Sequence, residues 1–455
     1  MSLEPRLEAV RPEHKEVVVV DTSVTWPTMP EGRRASGARH EVAPGELFFS
    51  MTDQRGVITA ANSVFVKMAR FSREDLIGAP HSIIRHHDMP AGCFKLMWDE
   101  LLAGRPFCAY VNNLASDGST YTVFATIAPA ADGFLSVRTR PLRTDLLGAA
   151  VGLYEVVRPL ELAAREQGVN RRDAATLGLN ELAKLLAGTP FGVYGEFQWA
   201  ALVSETQARA AQAEDPHSVR PTTGPLAAME ACCHNLAAEL HGWSDHYTAI
   251  IRLVHLLAQA ITDLLGAAGA VAQTATSLGT ADNAANPLVA RLNETGVLID
   301  RLVDQLRAFR QTCCYASTWA ALAEIHTEVL SQFVRELGAD EPAPSDGAAV
   351  HQLCHALVRD FVEVAERAER TAEAAMALVP ELDRTLTVMF GQPTASAGDP
   401  GANSHPSDAW AQMEESLGVV ARLGHEIAAV STPQDTSTAE MQVIQLLTLM
   451  AQLTR

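Results

Sequence analysis

The densest run of chemically capable side chains is Arg85, His86, His87 and Asp88, followed by Met89 and Pro90. A site for an anionic, ring-bearing ligand needs donors that tolerate anionic oxygens and an apolar, aromatic wall for the ring system. Arg85 and Asn113 could supply the donors, and Phe94 and Trp98 the wall. Two other readings use the same run. It could be a solvated loop entering a helix with Pro90 in the first turn. Alternatively His86 or His87 could be an axial ligand to haem iron, which neutral imidazole binds well.

Cys232, Cys233, His234, Cys313, Cys314, His351, Cys354 and His355 are zinc-type ligands by residue type. Yet Cys233, Cys313 and Cys354 fall on apolar helical seams, where a free thiol packs as a small hydrophobe. Seven cysteines is an odd count without C-x-x-C spacing, so reduced thiols are expected rather than a disulfide framework or a zinc ribbon. Asp117-Gly118 and Asp132-Gly133 read as turns. No G-x-S-x-G, H-E-x-x-H, P-loop or kinase set occurs, so no enzyme is expected.

The elements that would hold these residues follow from patterning. Residues 1–45, with Pro27, Pro30, Gly32, Gly37 and Pro44, read as an extended or disordered arm. Within 46–145, short strand-like runs at Leu47–Met51, Val57–Ala61 and Tyr121–Ile127 alternate with helical stretches at Asn62–Ala69 and Gly92–Leu102. The expectation is a small antiparallel sheet with helices over one face. Residues 146–213 read as a helical connector, and 225–455 as a helical bundle or coiled coil with loops near 338–347 and 391–407.

Three helices keep alternating spacings of three and four. One seam runs Leu226, Met229, Cys233, Leu236, Leu240, Trp243, Tyr247, Ile250, Val254, Leu257, Ile261. A second runs Leu288, Leu292, Thr295, Ile299, Leu302, Leu306, Phe309, Cys313, and a third Val350, Cys354, Leu357, Phe361, Val364, Ala368. Such seams want helical partners, in the chain, in a second copy or in another protein.

A formal charge of −19 without a basic cluster disfavours nucleic acid and anionic lipid. The most apolar stretch, Tyr247–Ala270, contains Arg252, His255 and Asp263, so no membrane span is expected. Nothing in residues 1–10 reads as a signal peptide, and the expected location is cytoplasmic.

The segment His81, Ser82, Ile83, Ile84, Arg85, His86, His87, Asp88, Met89, Pro90 resembles the R-H-P-D-M-P signature of the PAS domain of bacterial aerotaxis receptors. The resemblance extends to Asn62 and Phe65, to Leu76-Ile77-Gly78, and to Phe94, Trp98 and Gly104. It continues through Val111, Asn112 and Asn113, Asp117-Gly118, Tyr121, Pro129 and Ser136-Val137-Arg138. It departs from the pattern at His87, where proline is usual, and at Phe107 and Thr122, where tryptophan is common. A weaker likeness to the helical connector of such proteins covers Gly152-Leu153-Tyr154 and residues 189–197. The helices beyond are chemoreceptor-like in periodicity only, since the Asn- and Ala-rich signalling tip is absent.

The resemblance implies an α+β PAS domain followed by a mainly α region. It also implies FAD bound in the PAS pocket, with Arg85, His86 and Asp88 in the flavin-binding segment and Asn62, Phe94, Trp98 and Asn113 as pocket residues. The function it implies is a sensor of redox or oxygen-linked energy state that relays to the helices. The alternatives are a haem-binding PAS sensor, or a cofactor-free PAS and helical scaffold that recruits partners.

Overall fold

Strand β1, Leu47–Asp53, is buried along nearly its whole length, the pattern of a strand covered on both faces. The computed structural model describes residues 34–212, 224–277, 287–339, 344–390, 408–431 and 435–453. Most of the expected arm 1–45 and the loop expected near 391–407 lie outside them, as does part of the loop near 338–347.

The other strands are β2, Ile58–Ala61, β3, Phe107–Leu114, β4, Thr120–Ala130, and β5, Gly133–Thr139. They form one antiparallel sheet in the order β2-β1-β5-β4-β3. Three short elements follow β2: helices α1, Ser63–Ala69, and α2, Arg73–Leu76, and a 3-10 turn, His81–Ile84. Helix α3, Ala91–Leu102, comes next. Phe48, Phe65, Met68, Leu76, Ile84, Met89 and Tyr121 form the buried core under them.

The connector consists of α4, Thr144–Glu166, α5, Arg171–Ala187, and α6, Tyr194–Ala210. Four further long helices and a shorter last one follow: α7, Gly224–Ser277, α8, Pro287–Ala339, α9, Pro344–Phe390, α10, Asp408–Val430, and α11, Ser437–Leu453. The sequence divides into an antiparallel α+β module and a mainly helical region, as expected.

The expectation that helices cover one face of the sheet is corrected. The second face is also covered, by α6 and by residues of α8. Phe333 meets Phe49 edge-on at 5.0 Å, Gln332 accepts from the Leu47 N–H at 2.9 Å, and the Tyr110 hydroxyl donates to buried Glu205 at 2.8 Å. Glu205 also accepts the N–H groups of Leu142 and Arg143, clamping α6 to the exit of the sheet.

β3 is an edge strand, and its outer backbone groups need partners once helices bury them. Tyr194 supplies two, donating to the Cys108 carbonyl and accepting from its N–H, each at 3.0 Å. Tyr154 donates to the Tyr110 carbonyl at 3.1 Å, and Gln198 to the Pro106 carbonyl at 2.7 Å.

The chain forms two compact units: residues 1–242, 318–362 and 436–455 make one, and residues 243–317 and 363–435 the other. The first holds a buried polar cluster in which Arg359 donates to Asp360 at 2.5 Å and His326 bonds the same carboxylate. In the second, Tyr247, Ile250, Val254 and Leu306 are buried, and Arg367 lies over Tyr315 at 5.8 Å. Every residue of the first seam from Met229 to Ile261, and every residue of the third, is buried. Leu302 to Cys313 of the second are buried too, while the side chains of Leu288, Leu292, Thr295 and Ile299 lie outside the described residues. All seven cysteines are buried thiols, and burial pushes that of Cys354 up to about 12. Among the described residues one stretch, 224–270 of α7, is long and apolar enough to cross a membrane by length and composition.

Helices α3 and α5 pack so closely that a side chain has no room between them. A Cβ on Gly92 would stand 2.4 Å from the Leu179 nitrogen and 2.5 Å from the Gly178 carbonyl carbon. Gly92→Ala is expected to lower stability by about 1–3 kcal/mol in denaturant titration, because backbone must shift to admit the methyl group. Gly148→Ala in α4, with no atom within 4 Å of its Cβ, should be neutral or stabilising.

Candidate cofactor-binding site

One face of the sheet, α3 and the 3-10 turn enclose a cavity of about 110 Å³. A single water needs about 10–15 Å³ on this scale, so the cavity has room for a ligand. Strand pleating decides what faces it. Odd positions of β3 and β4, including Val111, Asn113 and Ala125, and even positions of β5, Phe134, Ser136 and Arg138, point inward. From the other side come His81, Ser82, Arg85, Phe94 and Trp98.

Arg85 ends the 3-10 turn, and its backbone forms an antiparallel bridge with Asn113, which fixes both at one end of the cavity. The Arg85 guanidinium lies 4.0 Å from the centre of the Phe94 ring. It reaches the Met89 carbonyl only at 3.4 Å. Trp98 meets Phe134 edge-on at 5.4 Å, and its indole lies 3.4 Å from where a Cβ on Gly56 would be. The wall is aromatic and firmly packed.

Buried polar atoms normally find partners, and those that do not demand a reason. Ser82 Oγ, Arg85 Nε, Asn113 Nδ2 and Arg138 Nε are all buried without one, and all four residues line this cavity. Four unsatisfied groups around one space, three of them nitrogen donors, fit a ligand that brings acceptors. Together with the aromatic wall, they suit a planar heteroaromatic ring with carbonyl and ring-nitrogen edges, and so the ring of a flavin.

At the β5 side, Arg138 donates to Ser50 Oγ at 3.2 Å and to His81 Nε2 at 3.0 Å. Ser50 Oγ lies 3.0 Å from the same Nε2. Because His81 Nε2 accepts from Arg138, its proton sits on Nδ1. Burial, and then the adjacent Arg138 charge, hold His81 well below the ordinary histidine range. Burial draws Arg138 down to about 10, which leaves it charged at neutral pH.

Of the sequence-predicted residues, Arg85, Phe94, Trp98 and Asn113 come together around the cavity. Asn62, His86 and Asp88 are placed elsewhere. Asn62 caps α1: its Oδ1 accepts from Phe49 N and Phe65 N at 3.2 Å each, and its Nδ2 donates to the Leu47 carbonyl at 3.2 Å. His86 is buried, but Nε2 bonds Thr120 Oγ1 at 3.1 Å and Nδ1 accepts from Asp88 N at 3.2 Å. Both ring nitrogens are thus engaged within the protein. Asp88 is exposed, 3.2 Å from His87 Nε2. His81, Ser82, Phe134 and Arg138 line the site without having been singled out for it.

The cavity is tied directly to the connector. Pro90 caps α3 with no side-chain acceptor, and the first N–H groups of the helix, Ala91 and Gly92, donate instead to buried Glu161 of α4 at 2.7 Å each.

The chain is similar to two sensory or regulatory proteins. It is 36% identical over 121 residues to the aerotaxis receptor of Escherichia coli, which is 26% of this chain and 24% of that protein. It is 31% identical over 104 residues to the nitrogen fixation regulatory protein of Klebsiella pneumoniae, 21% of each chain. The chain therefore spans about a quarter of the length of the curated relatives it matches. No family model matches it.

Two outcomes check these assignments. Asn62→Ala removes a helix cap and strands the Phe49 N–H, and is expected to cost about 2 kcal/mol in denaturant titration while leaving the cavity lining intact. The depressed His81 gives a pH effect of definite sign. Below about pH 6.5 the unfolded chain binds a proton that the folded chain refuses, so stability falls on acidification by up to about 1.4 kcal/mol per pH unit. His81→Gln, which keeps an acceptor, should flatten that slope in melts run from pH 7 to 5.

Proposed function

We propose that this cavity binds FAD and that the chain is a signal-transduction sensor of redox or oxygen-linked energy state. The observation that carries the reading is the set of four unsatisfied buried polar groups facing one aromatic-walled cavity. The similarity to a protein named for aerotaxis and to another named for regulation supports the sensory part.

A bound flavin supplies a redox change that alters charge and hydrogen bonding at the edge of its ring. This chain's residues would hold and report it. Arg85 and Asn113 donate at one end of the cavity and Phe94 and Trp98 cover a ring face; β3 carries Asn113, α3 carries the two aromatic rings, and Arg85 ends the 3-10 turn bridged to β3. Both elements are gripped by the connector, β3 by Tyr154 and Tyr194 and α3 by Glu161, so a displacement of either is felt in α4 and α6. Self-association or partner recruitment through the helical region would follow as output.

The test is the absorption spectrum of the purified chain before and after dithionite, and again after reconstitution with FAD. Bands near roughly 370 and 450 nm that bleach on reduction are expected. Asn113→Ala and Arg85→Ala should fold, by circular dichroism, and retain at most a tenth of the flavin. A colourless wild-type chain after reconstitution would sink the flavin reading in favour of a cofactor-free scaffold, and a Soret band would replace it with haem.

A further inference from the structure

Arg138 is a cation in a place where proteins seldom leave one unmatched. It is 5% exposed, in the middle of the sheet on β5. Its partners are all neutral. Ser50 on β1 and His81 on the 3-10 turn accept its Nη hydrogens, and the rings of Phe48 and Phe65 stand 5.8 and 6.0 Å away. Tyr121 on β4 is the other titratable group that acts on it. No carboxylate lies within ion-pair reach of it among the described residues. A buried charge without a counter-charge is strongly disfavoured unless something else supplies one.

The two arginines of the cavity differ on this point. Arg85 has Glu161 close enough to act on it and lies against the Phe94 face. Arg138 has only the more distant rings of Phe48 and Phe65 and no carboxylate among the described residues, and its Nε, buried and without a partner, belongs to a residue that lines the cavity. Its neighbour His81 cannot relieve the charge, because its Nε2 is already an acceptor and its burial keeps the ring neutral. The missing negative charge has to come from the ligand.

We infer that Arg138 is the anion-binding corner of the cavity, which seats the electron-rich edge of the ligand and, in the flavin-loaded chain, favours the singly negative reduced state. This rests on the flavin reading of the cavity. Reduction by two electrons with uptake of one proton leaves one negative charge on the ring; in the test both electrons come from dithionite. A guanidinium fixed by Ser50 and His81 stabilises that charge without reorganising. Ser50 and His81 are positioning residues.

The experiment is a dithionite redox titration of the full-length, FAD-reconstituted chain, followed at 450 nm with a reference dye, for the wild type, Arg138→Gln and Arg138→Lys. Arg138→Gln should weaken the reduced state relative to the oxidised by tenfold or more, which lowers the midpoint potential by about 30 mV or more. Arg138→Lys should fall between. In the wild type, one proton per electron pair gives a potential that changes by about 30 mV for each tenfold change in proton activity, even at pH 5.5. In Arg138→Gln the acid limb should steepen toward about twice that. Equal potentials and equal slopes in flavin-loaded wild type and variants would overturn this inference and leave the flavin reading standing. A wild type that takes up no flavin would overturn both. Should Arg138→Gln fail to fold, the Lys variant and the wild-type slope decide: a slope of about 60 mV in the wild type at pH 5.5 rejects the inference.

Discussion

The carboxylate of Glu161 holds together two elements that the sequence keeps far apart. Helix α3 walls the cavity, and its N-terminus begins at a proline that offers no acceptor for the N–H groups behind it. Buried unpaired donors at a helix start are costly, so an acceptor must come from outside. Glu161 provides both oxygens, adds a favourable charge at the positive end of the helix, and is itself held by Arg158 at 3.1 Å. That arrangement requires α4 to lie against α3, and the glycines at 92 and 178 let α5 close over the same place. The cavity wall and the connector are therefore one mechanical piece.

The edge of β3 adds a second connection of a different kind. An exposed edge invites pairing with other strands, and proteins usually protect it with charge, proline or a covering element. Here tyrosine hydroxyls of α4 and α6 and the Gln198 amide act as substitutes for a neighbouring strand. Hydroxyl partners hold fewer backbone groups than a full strand would, so β3 is kept in register by a small number of discrete bonds. Asn113, the polar side chain that β3 gives the site, is thus tied to the connector through a few discrete contacts.

Much of this was legible in the sequence. The alternating pattern and the turn signals placed β1, β2 and β4, and the resemblance around Arg85 led to Phe94, Trp98 and Asn113, whose residue types suit a pocket for an anionic, ring-bearing ligand. Asn62 was legible as significant but not for its reason: a polar residue in a motif looks the same whether it faces a ligand or caps a helix. His86 and Asp88 share the fate of a motif read as a block, since adjacent residues in a turn point in different directions. Arg138 was hidden by parity. In Ser136-Val137-Arg138 nothing local tells which face of a strand is inward when both faces are covered, and a strand arginine ordinarily points to water. The second cover of the sheet was equally out of reach, because its residues come from α6 and, still farther along the chain, from α8.

That second cover has a consequence for how the molecule is made. Leu47 and Gln332 are partners across 285 positions of sequence. During synthesis at about 5–20 residues per second, β1 leaves the ribosome on the order of tens of seconds before the residues that shield it. Through that interval Phe49 and its apolar neighbours have no permanent partner, and an aggregation-prone sheet face waits for its lid. Shortening the chain anywhere before Phe333 would make that temporary exposure permanent.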